Sequence, residues 1–144
     1  MKLTIEHLAA YLPYGLKCLD LKTEPDSNIF TLESASIHRV VSDSEGNFDI
    51  GFEEIKPILR SLSDLTKEIE HNREKFVPIE RLLKERECDA EYEFIEAIED
   101  DWASAESKFE FAPYSIIKKL HSWHFDTKGL IEAGLAINYN ELNK

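Results

Sequence analysis

The spacing of apolar residues changes along the chain, and this change constrains the fold more than any other feature. Between residues 16 and 52 apolar and polar side chains alternate, most clearly over 48–52, which is typical of half-buried strands. Turn-forming residues at 25–28 and 43–47 divide the region, with a second strand over 29–41 that bends near the small residues 34–36. Because short connections favour antiparallel pairing, we predict a three-stranded antiparallel meander.

Apolar residues with helical spacing lie on both sides of this strand region. Thr4 is a suitable cap for a short N-terminal helix that presents Ile5 and Leu8 on one face and is ended by Pro13 and Gly15. One long amphipathic helix is predicted from about residue 90 to 109, where apolar residues recur at intervals of three and four: Tyr92, Ile95, Ile98, Trp102, Ala105 and Phe109. Shorter helices are predicted at 63–69, 79–86, 113–124 and 130–135.

These segments predict an α+β fold, with an N-terminal helix, a meander and a helical C-terminal part. The length of 144 residues and the 42% hydrophobic content suit a single domain spanning 1–144, and we recognise no linker or repeat. Without an apolar run of the roughly 20 residues that span a membrane, or a recognisable signal peptide, we expect a cytoplasmic protein. Cys18 and Cys88 are too few for a disulfide framework, and Cys18 is expected in the core.

The strongest chemical signal is an acidic run over residues 85–101. It contains nine carboxylates and one base, and so carries −8 of the net charge of −12. This charge disfavours direct binding to nucleic acid and favours steering towards a basic protein. The simpler alternative is a solvated helix face that keeps the protein soluble. The candidate partner-binding residues are Glu93, Glu96, Glu99, Asp100 and Asp101.

The other groups of candidate functional residues are weaker signals. His121 and His124 are three residues apart on a predicted helix and would hold a metal if a carboxylate from the acidic run joined them, although His124 also lies on the apolar face. Tyr11 and Tyr14 are a candidate interface patch at the end of the first helix. The chain contains no nucleophile motif or phosphate-binding loop, so we expect neither catalysis nor a cofactor.

Three stretches, 12–17, 56–65 and 124–137, together resemble a family of small phage and prophage accessory proteins without a known activity. The resemblance implies a gene carried by a mobile element, and it transfers no site residue. In that family position 61 is often Pro and position 73 is often Gly, which gives an Asn-Gly turn. Ser61 and Arg73 depart from this pattern, which weighs against a hairpin over 70–77.

In this context we predict a non-catalytic accessory protein of phage origin that binds another protein in the cytoplasm of the bacterial host. It would be an acidic inhibitor of a host nucleic-acid-processing or defence complex, of the anti-CRISPR or another anti-defence type. Its partner would be a basic host protein or nucleoprotein complex. Two alternatives stay open: a structural or assembly accessory of the phage particle, and a metal-dependent enzyme that uses His121 and His124.

Overall fold

The computed structural model describes residues 2–20, 28–35, 39–42, 49–51, 55–100 and 112–141. Helices and mostly antiparallel strands occur together, which confirms the α+β class. The chain divides into two compact units: unit 1 comprises Met1–Leu59 and Lys128–Lys144, and unit 2 comprises Arg60–Thr127. The expectation of a single domain over 1–144 stays a prediction.

The secondary structure consists of α-helices, short 3-10 helices and strands. The α-helices are α1 (Ile5–Leu8), α2 (Pro78–Glu85), α3 (Asp89–Asp100) and α4 (Tyr114–Ser122). The 3-10 helices are Ala9–Tyr14, Leu62–Thr66 and Tyr139–Glu141. The strands are β1 (Lys17–Asp20), β2 (Asn28–Ala35), β3 (Arg39–Ser42), β4 (Asp49–Gly51), β5 (Ile55–Leu59), β6 (Ile69–His71), β7 (Glu74–Phe76) and β8 (Ile137–Asn138).

The N-terminal helix begins after Thr4 as predicted, but α1 ends at Leu8 and a 3-10 helix continues through Pro13 to Tyr14. The Thr4 N–H donates to His7 Nδ1 at 3.0 Å, and the His7 N–H donates to the Thr4 carbonyl at 3.1 Å, so each residue satisfies a main-chain group at the helix start. Gly15 ends the segment with φ = +64°, a conformation that glycine adopts at little cost. Tyr11 is fully buried, at 0% exposure, so the predicted interface patch of Tyr11 and Tyr14 is wrong for Tyr11.

Unit 1 contains a six-stranded sheet in the order β4-β3-β2-β1-β5-β8. All neighbours pair antiparallel except β5 and β8, which are parallel. The predicted three-stranded meander is therefore too small, because the strand over 29–41 with its predicted bend near 34–36 is two strands, β2 and β3, and β5 is not among the predicted strands. Of the turn-forming residues, 25–27 and 43–47 lie outside the described part of the chain. The buried hydrophobic core of unit 1 is Leu3, Leu8, Tyr11, Leu16, Cys18, Ile55, Leu59, Leu130 and Ala136.

The final helix predicted over 130–135 is wrong. This segment forms hydrogen-bonded turns, and the Leu135 N–H donates to the Leu130 carbonyl at 2.9 Å. Gly134, at φ = +78°, takes a left-handed conformation that interrupts a helix. The chain then enters β8, which places Ile137 opposite Ile58 of β5.

Unit 2 begins with a 3-10 helix and a hairpin. Ser61 caps the 3-10 helix, since its hydroxyl accepts from the Ser63 N–H at 3.2 Å. The predicted helix up to Ile69 is wrong, because Ile69 lies in β6, which pairs antiparallel with β7. The hairpin forms although residue 73 is not glycine: Asn72 and Arg73 both have positive φ, 52° and 68°.

Three helices complete unit 2. α2 confirms the helix predicted over 79–86. α3 covers the first part of the predicted long helix, whose continuation over 101–109 lies outside the described residues. α4 ends at Ser122, so His124 is not on a helix face as predicted but has φ = +64° beyond it. The buried core of unit 2 is Leu65, Ile69, Ile79, Leu82, Ile95, Ile116, Leu120, Trp123 and Phe125.

Among the described residues, no helix combines the length and the apolar character needed to cross a membrane.

Candidate acidic interface

The acidic run begins where α2 ends, and one of its carboxylates points inward. Glu91 is buried, at 4% exposure. Its Oε2 accepts from the Glu87 N–H at 2.9 Å, and its Oε1 accepts from the Ser115 hydroxyl. The hydrogen bond from Ser115 makes the largest contribution to a lowered pKa of Glu91. The hydrogen bond from the Glu87 N–H and the charge of Lys119 lower this pKa further. Glu91 thus joins the first turns of α3 and α4 and is unavailable to a partner.

Glu93 and Glu96 point outward from α3 as predicted. Both side chains are exposed, and their spacing of three residues places them on neighbouring positions of one helix face. Glu93 has no hydrogen bond or ion pair to any residue that the structure describes, whereas Glu96 accepts from the Tyr92 hydroxyl at 2.6 Å. The structure therefore brings together two of the five predicted partner-binding residues.

The other three predicted residues are not positioned. The backbone of α3 extends to Asp100, but the side chains of Glu99 and Asp100 lie outside what the structure describes, as does Asp101. Further exposed carboxylates lie before α3 or at its first residue and extend the acidic surface: Glu85, Glu87 and Asp89. We call the exposed carboxylates of residues 85–96 the acidic surface.

Tyr92 belongs to this surface rather than to the apolar seam predicted for the helix. Its side chain is 38% exposed, while Ile95 is fully buried. The guanidinium of Arg86 lies 5.0 Å from the centre of the Tyr92 ring, in a cation–π contact. Arg86 Nη1 also donates to the Leu83 carbonyl at 2.7 Å. The only base of the acidic run is therefore held on an aromatic ring whose hydroxyl contacts Glu96.

A second exposed aromatic residue stands at the start of α4. Tyr114 is 78% exposed, and it directly precedes Ser115, whose hydroxyl bonds to Glu91. The first turns of α3 and α4 thus meet at Glu91 and Ser115. Tyr114 is not among the residues predicted from the sequence, and its position next to the helix-starting Pro113 is the one local signal of a solvent-facing first turn.

The two histidines of the metal hypothesis have separate partners. His121 is buried, and its Nε2 is 2.9 Å from the Thr127 hydroxyl. The ring of His124 packs edge-on against His71, with ring centroids 5.0 Å apart. Within the described ranges, no three side chains of His, Cys, Asp or Glu are grouped closely enough to hold a metal ion. The residues that the structure describes thus supply no third ligand for the hypothesis.

The two cysteines have opposite surroundings. Cys18 is buried in β1, in agreement with the predicted core position, and burial raises the pKa of its thiol to about 12. Cys88 is exposed between α2 and α3. Neither forms a disulfide.

In comparisons with known proteins, no protein-family model matches the chain and no curated protein or solved structure is significantly similar to it.

Proposed function

We propose that this chain is a non-catalytic accessory protein of phage or prophage origin, which acts in the bacterial cytoplasm by binding a basic protein or nucleoprotein complex. Its action would be to inhibit a host nucleic-acid-processing or defence complex, as anti-CRISPR proteins do. The observation that carries this proposal is the acidic surface, on which Glu93 and Glu96 are exposed beside the Tyr92 ring.

The electrostatics favour a cationic partner. A negatively charged surface accelerates association with a positively charged protein and repels nucleic acid. The acidic surface and the phosphates of nucleic acid would compete for the same cationic groove of the partner. At physiological ionic strength such attraction extends over about 8 Å, so binding is expected to weaken steeply with added salt.

Arg86 indicates the kind of cation that suits this surface. Its guanidinium lies over the Tyr92 ring, and the Tyr92 hydroxyl is bonded to Glu96. Arginine binds aromatic faces and carboxylates together, and it is common in proteins that hold phosphates. The exposed Tyr114 ring supplies a second aromatic surface of the type enriched at interfaces.

The test is capture from a bacterial lysate with three tagged proteins: wild type, Glu93→Lys with Glu96→Lys, and Glu68→Lys with Glu132→Lys. The control pair replaces exposed glutamates outside the acidic surface and changes the net charge equally. We expect a basic nucleic-acid-handling complex to bind the wild type and the control pair and to be released from both at high salt. The protein with Glu93→Lys and Glu96→Lys should not capture this complex. The captured complex should lose nucleic-acid binding or cleavage when the wild-type protein is added.

Two outcomes would contradict the proposal. Equal recovery of the same complex with both charge-reversed proteins would mean that the acidic surface is only solvated. Recovery of capsid or assembly proteins, together with a stable symmetric oligomer of the chain in solution, would favour the structural accessory instead.

A further inference from the structure

The N-terminal helix starts with a bond to a titratable ring. The N–H of Thr4, the residue before α1, donates to Nδ1 of His7 at 3.0 Å. Glutamate or glutamine commonly accepts this bond in the same position, three residues after the cap. A histidine nitrogen accepts only while it carries no proton, so the bond requires a neutral ring that keeps its proton on Nε2.

A lysine from the second stretch of unit 1 reaches the same turn. Lys128 Nζ donates to the carbonyl of Glu6 at 2.9 Å, and both residues belong to unit 1. The charged groups that act on His7 are Lys128, which opposes its protonation, and Glu6, which favours it. Lys2, before the helix, and Glu132, in the segment after Lys128, are exposed. A proton on His7 is therefore added beside a cation that is bonded to the same helical turn.

The helix that begins with this bond is a single turn. α1 has four residues, and the Ala9 N–H donates to the Ile5 carbonyl at its end. Bonds at the ends of so short a helix make up a large share of those that fix it. Leu8 and Tyr11 are fully buried in the unit 1 core, so the segment stays attached there while its start opens.

We propose that His7 is an acid-sensitive cap of α1: a proton on Nδ1 removes the acceptor of the Thr4 N–H and adds a cation beside Lys128, so that the first turn opens locally. The proton comes from water, and it changes Nδ1 from an acceptor to a donor. The hydroxyl Oγ1 of Thr4, 3.3 Å from Nδ1, is able to accept from the protonated ring, but the Thr4 N–H loses its bond. The cap acts in the isolated chain and does not depend on the proposed partner.

The direction of the pH dependence follows from the same contacts. Burial and, secondly, the charge of Lys128 lower the pKa of His7 below its ordinary value of 6.5, and the charge of Glu6 opposes this shift. The open turn thus binds a proton more readily than the closed one. The stability that the cap supplies is fully present above pH 6.5 and is lost as the pH falls from 6.5 through the lowered pKa.

Hydrogen exchange of the Ala9 amide, followed by NMR on the full chain, tests this proposal, because that amide is bonded to the Ile5 carbonyl while α1 is closed. Rates at about pH 7.5 and about pH 5.5 are corrected for intrinsic exchange. A histidine that titrates near 6.5 in the open turn and stays neutral in the closed one increases opening by at most about tenfold over this interval. We expect a rise of several-fold up to this limit in the wild type.

Two substitutions at the same position separate the cap from the histidine. In His7→Gln the side-chain oxygen accepts from the Thr4 N–H at both pH values, so the Ala9 amide should stay protected and show little rise. In His7→Ala the acceptor is absent at both pH values, so exchange should be faster than in the wild type at about pH 7.5 and again show little rise. The control, His71→Gln, replaces another histidine with a lowered pKa, in unit 2, and should leave the rise at Ala9 unchanged.

An equal rise in His7→Gln and the wild type would overturn the proposal, as would a wild type whose Ala9 amide exchanges equally at both pH values. A measurement without a variant covers the case in which the variants do not fold. The ring nitrogens of His7 are followed by NMR as the pH is lowered. A neutral ring with its proton on Nε2 and a midpoint below 6.5 supports the cap, and a proton on Nδ1 or a midpoint at or above 6.5 overturns it.

Discussion

Replacing Arg73 with glycine is expected to stabilise the hairpin β6–β7. Asn72 and Arg73 form the two-residue turn, and both have positive φ, as a turn of type I′ requires. Asparagine accepts this conformation readily because of its short polar side chain. In Arg73 the Cβ atom crowds the following carbonyl oxygen, so the residue is strained at φ = 68°.

The size of the effect follows from two opposing terms. Removing the Cβ relieves a conformational cost of about 1–2 kcal/mol. Glycine also gives the unfolded chain more freedom, which costs about 0.4–1 kcal/mol. The Arg73 side chain is exposed and bonds to no other described residue, so no contact is lost. The net gain in the free energy of unfolding is about 1 kcal/mol, a rise in Tm of about 2–4 °C for a chain of this length.

Arg73→Ala is the matched control, because it removes the same charge and side chain but keeps the Cβ. Its free energy of unfolding should differ from that of the wild type by less than about 0.5 kcal/mol. The assay is urea unfolding followed by circular dichroism, with all three proteins measured in one buffer. If Arg73→Gly is no more stable than Arg73→Ala, the argument from backbone strain is wrong.

Three further predictions concern a buried hydrogen bond, the accessibility of the two thiols and the conformation of a glycine. Ser115→Ala should lower the free energy of unfolding by about 1–2 kcal/mol, as measured in urea. Because the pKa of Glu91 is lowered from 4.5, its contribution is present above pH 4.5 and lost below it, and this acid-dependent loss should be smaller in Ser115→Ala. Iodoacetamide should alkylate Cys88 but not Cys18 in the folded chain, and two adducts by mass spectrometry would contradict the burial of Cys18. Gly15→Ala should destabilise the fold by about 1–2 kcal/mol because of its positive φ, and an unchanged melting temperature would argue against this.

The sequence predicts well those features that depend on local spacing. The helical segment of α1 and the following 3-10 helix starts after Thr4 and ends at Gly15, a start and a stop that neighbouring residues determine. The same holds for α2, where Pro78 begins the helix. The outward direction of Glu93 and Glu96 also follows from helical periodicity, since both lie away from the buried Ile95.

Features that depend on distant partners were missed. β5 contains a run of buried residues with Pro57 inside, so it shows no alternation, and its parallel partner β8 comes from the far end of the chain. In the sequence, nothing distinguishes Glu91 from the other carboxylates of the acidic run. Its inward position depends on the hydrogen bond from Ser115, which is 24 residues away along the chain. His124 leaves the helix face because the helix stops at Ser122, which its apolar spacing did not indicate.

The division of the chain has a consequence for its synthesis. Unit 1 is made of two stretches separated by all of unit 2, and its core takes Leu130 and Ala136 from the second stretch. A ribosome therefore completes unit 2 before it adds these two residues and before β8 exists to pair with β5. Since compact units fold as they become complete, we expect unit 2 to become structured first on the nascent chain. The core of unit 1 closes only after Ala136 has left the exit tunnel.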